Sequence, residues 1–389
     1  MATQTLSIPA VANLLCEAHL AMADKLRRAQ GDALDALGLG PRECPFQLIS
    51  SGPHWRLRAY GGPAAAPLLL MVPAPIKRPY IWDLTPSVSA VRYCLHQGFR
   101  VHLLEWTPPS PDGSAGMDAY GGRAIAACVA TISNQTSGAP PFLIGHSLGG
   151  TLATIHCALE PRSVKGLILL GTPLCFEQES SRFRDALVAL VPEKLSETNV
   201  VAGSLLSRIS AVACPNTFLW LRWVDAALSL GDHAAMDIHA RIERWALDEV
   251  ALPGKLVTQI VEWLYREDRF YHGTLTVLHR TVGPASMAIP TLAIVNAADE
   301  IAPVTSVAPF IDKMPTKDTR IIEHPGEIGV GLPHVGMLVG RAAYARVWLQ
   351  IVAWLKAQLN RAMGLSRLES CRGGDAKFHE SGSRCCVAS

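Results

Sequence analysis

Gly145-His146-Ser147-Leu148-Gly149 reads G-x-S-x-G, and its neighbours give the pattern a context. Pro141-Phe142-Leu143-Ile144 before it is the short apolar run of a buried strand, and Gly150-Thr151-Leu152-Ala153-Thr154-Ile155 behind it opens a helix. A strand, a tight turn and a helix in that order hold a serine on a strained backbone above the end of a sheet. Small residues on either side let strand and helix approach closely. The chemistry this points to is attack by Ser147 on an acyl carbon. Another glycine-rich turn could share the spacing, but it would have no need of a serine at its centre.

A serine hydroxyl is scarcely ionised at neutral pH, so it needs a base, and the base needs a carboxylate to orient it. The expected chain order is serine, acid, histidine. Asp299 follows the apolar run Thr291 to Asn296, in I-V-N-A-A-D-E-I-A-P. Glu300 competes, and Asp299 is preferred because it comes first after the strand, where its side chain can still point over the sheet. Among 13 histidines, His334 lies in G-L-P-H-V-G-M-L-V, after the run Thr319 to Glu323 and before a C-terminal helix. Its rival His324 stands at the strand end, ahead of that loop, so His334 is the expected general base.

A tetrahedral intermediate also needs two N–H donors for its oxyanion. Leu148, next after the nucleophile, supplies one; the loop after Leu68 to Val72, reading V-P-A-P-I-K, should supply the other. Pro73 and Pro75 have no N–H, which leaves Ala74 or Ile76, and Ile76 is favoured.

The elements that must position these groups are legible as alternating short apolar runs and amphipathic stretches. Leu68 to Val72, Arg100 to Glu105, Phe142 to Gly145, Val164 to Leu170, Thr291 to Asn296 and Thr319 to Glu323 read as strands of a mainly parallel sheet covered on both faces. Phe46 to Tyr60 alternates like an antiparallel hairpin at the sheet edge. Between Gly171 and Pro290 there is helical periodicity and many aromatics (Phe218, Trp220, Trp223, Trp245, Trp263, Tyr265, Phe270, Tyr271) but no convincing strand, so this interval is expected to be a helical cap. Singly these aromatics read as core; collectively they would suit a hydrophobic acyl chain. The expected class is therefore α/β, an α/β-hydrolase fold with a helical cap inserted late in the core. Residues 1–45 read as a helical segment, with Val11 to Leu26 amphipathic; 46–175 and 289–359 form the core, 176–288 the cap, and 360–389 a polar, disordered tail.

The chain has 389 residues, a net charge of +2 and 17% charged residues, without basic blocks or interleaved basic and aromatic runs, which sets nucleic-acid binding aside. No apolar run reaches the ~18 residues of a spanning helix, and the N-terminus lacks a basic secretory start, so no transmembrane segment and a cytoplasmic location are expected. Ten cysteines show no C-x-x-C spacing, and Cys16, Cys94, Cys128, Cys157, Cys175 and Cys214 sit in apolar segments as small hydrophobes. Cys386-Val387-Ala388-Ser389, with Cys385 beside it, formally matches a prenylation box, a short pattern that often arises by chance. No cluster has metal-ligand spacing and no second glycine-rich turn opens a nucleotide site, so no metal or cofactor is expected.

Several motifs together resemble the polyhydroxyalkanoate synthase family. V-P-A-P-I-K-R-P-Y-I-W-D-L is similar to the segment after that family's first core strand, G-F-R-V-H-L-L-E-W-T-P-P to its second strand and loop, and G-H-S-L-G-G-T to its lipase-like box. P-N-T-F-L-W-L-R-W-V and R-W-A-L-D-E-V-A-L-P resemble its tryptophan-rich cap, and N-A-A-D-E-I-A-P the segment of its catalytic aspartate. The resemblance covers about Leu68 to Leu359. It implies acyl transfer from 3-hydroxyacyl coenzyme A thioesters to a growing polyester, with the family's cysteine, aspartate and histidine falling on Ser147, Asp299 and His334. Coenzyme A would enter only as part of the substrate. Two departures stand out: cysteine has become serine, and the family's D-H-I is D-E-I at Asp299, Glu300 and Ile301. The short stretch before the core resembles the two-subunit synthases. A polyester-granule surface, a second copy of the chain and an accessory subunit are the partners this implies. Asp248 matches a cap aspartate, with a helix cap and substrate positioning as its two readings. An acyl-serine is a less activated donor than an acyl-cysteine, so three readings stay open: a serine-dependent synthase-like acyltransferase, a cytoplasmic esterase, thioesterase or polyester depolymerase, and a non-catalytic granule-associated protein.

Overall fold

Leu68 to Val72 is apolar at every position because both of its faces are covered: Leu68, Leu70 and Val72 join one core cluster, Leu69 and Met71 the other. A computed structural model describes residues 8–136, 138–193, 199–327 and 332–375, with the side chains of 8–17, 20 and 362–375 outside the description. Its main sheet has eight strands: β1 (Gln47–Gly52), β2 (Trp55–Ala59), β3 (Leu68–Val72), β4 (Arg100–Trp106), β5 (Phe142–His146), β6 (Gly166–Leu170), β7 (Thr291–Asn296) and β8 (Thr319–His324). Their order is β1-β2-β4-β3-β5-β6-β7-β8. The β1–β2 hairpin pairs antiparallel at one edge, and every pair from β4 onward is parallel.

Helices α1 (Ile8–Ala36), α2 (Ala90–His96), α3 (Ile125–Asn134) and α4 (Leu148–Leu159) precede the cap. Ile125, Cys128 and Ile132 of α3 and Leu152 and Ile155 of α4 fill one core face; Val91 and Cys94 of α2 with Trp348, Ile351 and Leu355 of the C-terminal helix fill the other. The cap leaves the sheet after β6 and returns at β7. It is built on α5 (Arg182–Leu190), α6 (Gly203–Ala213), α7 (Leu221–Ser229) and α8 (His233–Ala246), the last begun by Asp232, whose carboxylate accepts from the amides of Ala234 and Ala235.

Two expectations need correction. The cap does contain strands: Val200–Val201 pairs with Leu252–Pro253, and Leu275–Val277 with Arg280–Val282. Two or three residues are too few for an alternation to show, and the second ribbon turns at Leu278 and His279, with φ of +50° and +60°, without the usual Gly or Asn. The C-terminal helix spans Trp348–Asp375, well into the stretch expected to be disordered. Ala362, Met363, Leu365, Arg367 and Leu368 are strong helix formers that carry it past Gly364 and Ser366. The terminal Cys385 and Cys386 lie outside the described residues. At the other end α1 outruns its expected Val11 to Leu26 core, and Asp35, close to its end, is ion-paired to Arg244 of the cap at 2.7 Å.

Cys94, Cys128, Cys157, Cys175 and Cys214 are buried free thiols, as is Cys44; the side chain of Cys16 lies outside the description. No helix among the described residues is long and apolar enough to cross a membrane.

Buried histidines make this core acid-sensitive. Burial pushes His102 and His156 down to about 4 and His146 to about 3, Arg100 adding to the first and His334 to the last. All three are neutral when folded and free to protonate when unfolded, so their contribution is complete above ~6.5 and is lost as pH falls from there towards 4. Each protonation preference gives a slope of up to about 1.4 kcal/mol per pH unit. Urea unfolding at pH 7.5, 6 and 5 should show a falling midpoint, and His102→Leu should flatten the slope; an unchanged slope in that variant would remove His102 from the account.

Candidate active site

Ser147 joins β5 to α4 with φ +53° and ψ −138°. Such a backbone costs a non-glycine residue ~1–3 kcal/mol and persists only where its surroundings impose it. Here the Ser147 N–H donates to the Leu170 carbonyl of the next strand at 3.0 Å, and the Ser147 carbonyl accepts from Gly150 at 2.9 Å and Thr151 at 3.3 Å. The flanking glycines are needed for space. A Cβ on Gly145 would lie 2.4 Å from the Gly150 Cα, one on Gly150 2.0 Å from the Thr172 Oγ1, and one on Gly149 2.3 Å from the Pro73 carbonyl oxygen. Because the Gly149 clash is with backbone, Gly149→Ala should move the loop after β3 and cost ~1–3 kcal/mol by overpacking. A lowered Tm together with slower turnover is the expected readout; a wild-type Tm would contradict the clash.

The parallel order β5, β6, β7, β8 brings three loops to one end of the sheet. The loop after β7 carries Asp299, and a 3-10 turn after β8, Pro333–Val335, carries His334. His334 Nδ1 lies 2.6 Å from Asp299 Oδ2, and Asp299 Oδ1 accepts from the Ile301 amide at 2.9 Å. Burial would raise the Asp299 carboxyl, but the His334 charge and hydrogen bond and the amides of Ile301 and Ala302 outweigh it and hold the group below its ordinary value. His334 Nε2 is buried and has no partner among the described residues. His334 and Ser147 both line one cavity.

The rivals are elsewhere. Glu300 turns to the cap, where its carboxylate accepts from Thr217 Oγ1 and pairs with Arg182 at 3.4 Å, while its carbonyl accepts from the Phe183 amide at 3.1 Å. His324 is buried at the end of β8 with both ring nitrogens unpaired among the described residues.

Sequence reasoning missed His146. Burial keeps it neutral, so its Nε2–H donates to the His334 carbonyl at 3.0 Å and pins the histidine loop to the serine turn. Its place next to the nucleophile was the available signal. Gly171, at φ +50°, leaves no free room for a side chain: a Cβ there would lie 2.9 Å from Met337 Cε and 3.4 Å from both Asp299 Oδ2 and His334 Cε1.

The cavity measures 570 Å³, within the range of roughly 300–1,000 Å³ that suits small ligands. Leu148, Ala74 and Ile76 line it beside Ser147. From the cap come Phe218, Trp245 and Tyr265; the other cap aromatics divide, Phe270 packing on Phe310 in the core while Trp220 and Trp223 remain 68% and 74% exposed. Asp248 caps no helix: it follows the end of α8, 3.4 Å from Arg244 and 3.9 Å from Arg78. Among the described residues no three His, Cys, Asp or Glu side chains are grouped to hold a metal.

A strained serine at a strand–helix turn, with an acid–histidine pair on later loops of a mainly parallel sheet, agrees with what comparison finds: a family model described as alpha/beta hydrolase fold matches residues 82–330. The chain belongs to the α/β-hydrolase fold family.

Within the α/β hydrolases, the chain is similar to the poly(3-hydroxyalkanoate) polymerase subunit PhaC of Haloferax mediterranei, with 28% identity over 290 residues, 74% of this chain and 58% of that protein. The PhaC subunit of Allochromatium vinosum is 24% identical over 349 residues, 88% of this chain and 96% of that one. This chain thus spans less than two thirds of the length of the Haloferax protein and nearly all of the Allochromatium one. Among solved structures, a Paleococcus ferrophilus monoacylglycerol lipase superposes with a TM-score of 0.50 at 18% identity, covering 78% of this α/β hydrolase and 99% of the lipase; the likeness is one of fold.

Proposed function

We propose that this chain is an acyl-transfer enzyme of the polyhydroxyalkanoate synthase kind, acting through an acyl-serine on 3-hydroxyacyl thioesters or on polyester. The observation that carries the reading is the 2.6 Å bond from Asp299 to His334 beside an apolar cavity lined by both His334 and Ser147. In this reading His334 Nε2 takes the Ser147 proton as Oγ bonds to the acyl carbon. Asp299 holds the ring and offsets its charge, and the N–H groups of Leu148 and Ile76 receive the oxyanion. Collapse breaks the bond to the leaving group, which departs with the proton from His334. An acceptor hydroxyl then gives its proton to His334 as its oxygen bonds to the acyl carbon, and the bond to Ser147 Oγ breaks as His334 returns the proton to that oxygen. The similarity to the PhaC subunits supports the substrate class, as does the basic side chain of Arg208, which lines the cavity and suits a leaving group bearing phosphates.

One observation favours a hydrolase as second reading: serine stands where the resembled family has cysteine, and an oxyester intermediate is a weaker acyl donor. Granule attachment and a second copy or accessory subunit belong to the first reading and rest on the resemblance, whereas a cytoplasmic location belongs to both readings and rests on the sequence pattern.

The deciding experiment incubates the protein with 3-hydroxybutyryl coenzyme A and follows thiol release and polymer together, with Ser147→Ala as the blank. Polymer with thiol release is the expected result. Thiol release with free hydroxy acid would replace it with a thioesterase, and silence in both, with a fluorophosphonate still labelling Ser147, with an oxyester hydrolase. A protein whose Ser147 does not label would be the non-catalytic case.

A further inference from the structure

The loop expected to give the second oxyanion donor does not stand alone. It carries a short antiparallel bridge to the cap segment that follows α8, with Lys77 opposite Glu249. The Val250 amide donates to the Ile76 carbonyl at 2.8 Å and the Arg78 amide to the Asp248 carbonyl at 3.3 Å. In an antiparallel pair of this kind, flanked rather than joined by its hydrogen bonds, the two side chains lie close. Lys77 Nζ accordingly sits 3.0 Å from Glu249 Oε1, and it also donates to the Ala246 carbonyl. The same Glu249 oxygen is bonded by Arg27 of α1. One carboxylate, with its side chain 8% exposed, therefore ties together the N-terminal helix, the loop after β3 and the cap.

We infer that Glu249 is a positioning residue for the oxyanion hole: by clamping Lys77 and Arg27 it fixes the loop that presents the Ile76 N–H, so that seating of the cap and competence for the acyl-transfer step are coupled. This rests on the proposed function. A buried ion cluster is asymmetric: whole, it adds little to stability, but with one partner removed the groups left behind cost much. Without the carboxylate, Lys77 and Arg27 lose the buried acceptor that they share, and the loop they flank has reason to move. A donor displaced from its aim is lost to the transition state but not to the ground state, so the loss falls on kcat.

The test uses the full chain with p-nitrophenyl butyrate as substrate and butylboronic acid as a mimic of the tetrahedral state. Glu249→Ala is expected to lower kcat by about tenfold to a hundredfold, less than the ~10²–10³ of a donor removed outright, with KM little changed. Boronate inhibition should weaken by the same factor. Glu249→Gln, which keeps an acceptor for both cations, should recover most of the rate. Adding Lys77→Met to Glu249→Ala removes the buried nitrogen left without its partner, and the double variant should be no slower than Glu249→Ala. A Glu249→Ala protein with wild-type kcat, or one whose defect appears only in KM or Tm, overturns the inference, as does strict additivity in the double variant. A wild type that neither turns over nor labels at Ser147 fails the proposed function itself, before any variant is compared.

Discussion

Ser147→Ala is expected to abolish ester turnover and fluorophosphonate labelling while leaving Tm close to that of the wild type. The hydroxyl makes no hydrogen bond among the described residues, and alanine inherits the same positive φ, so neither packing nor strain changes much. What goes is the atom that forms the covalent intermediate. Loss of a triad nucleophile costs on the order of 10⁶ in kcat where it has been measured in a serine protease, and a fall of at least ~10⁴ is expected here. The check is kcat on p-nitrophenyl butyrate beside labelling and thermal melting. Retention of more than about a hundredth of the rate would mean that another group attacks the acyl carbon, and His146 or a cysteine would have to be sought.

Asp299→Asn should be nearly as damaging although it removes no volume. Asp299 Oδ1 accepts from the Ile301 amide, so the carboxamide oxygen of asparagine will keep that bond and turn its NH2 towards His334 Nδ1. A donor at that place forces the imidazole proton onto Nε2, the atom that must accept from Ser147, and a wrong tautomer of this kind costs ~10⁴ in kcat. Glu300→Gln is the matched control. Its side chain reaches Thr217 and Arg182 of the cap rather than His334, so its effect should stay within a few-fold and fall mainly on KM. Equal losses at 299 and 300 would contradict the assignment of the acid. The low carboxyl of Asp299 has a stability counterpart: the group is charged when folded, so its contribution is present above the ordinary carboxylate range and fades as pH drops through it.

The choice between Asp299 and Glu300 shows how close the sequence came. Both stand after the same strand, and only chain order argued for the first; the fold gives each neighbour a different partner, one turned over the sheet and one turned up to the cap. His334 and His324 divide in the same way. A residue at a strand end is held in the layer of the sheet, whereas one in the loop beyond can reach across to the neighbouring strand's acid.

By itself the sequence determined the strands, the turn and the order of the chemical groups, because these follow from periodicity, from glycine spacing and from where a chain must leave a sheet. It could not determine what depends on segments far apart in the chain meeting. That His146 holds the His334 loop, that Glu249 joins Arg27 to Lys77, that Trp245 lines the cavity while Trp223 faces outward, and that short ribbons brace the cap are all consequences of packing. A hydrogen bond between residues some 190 positions apart leaves no mark on either residue's neighbours, so only the tertiary structure could decide it.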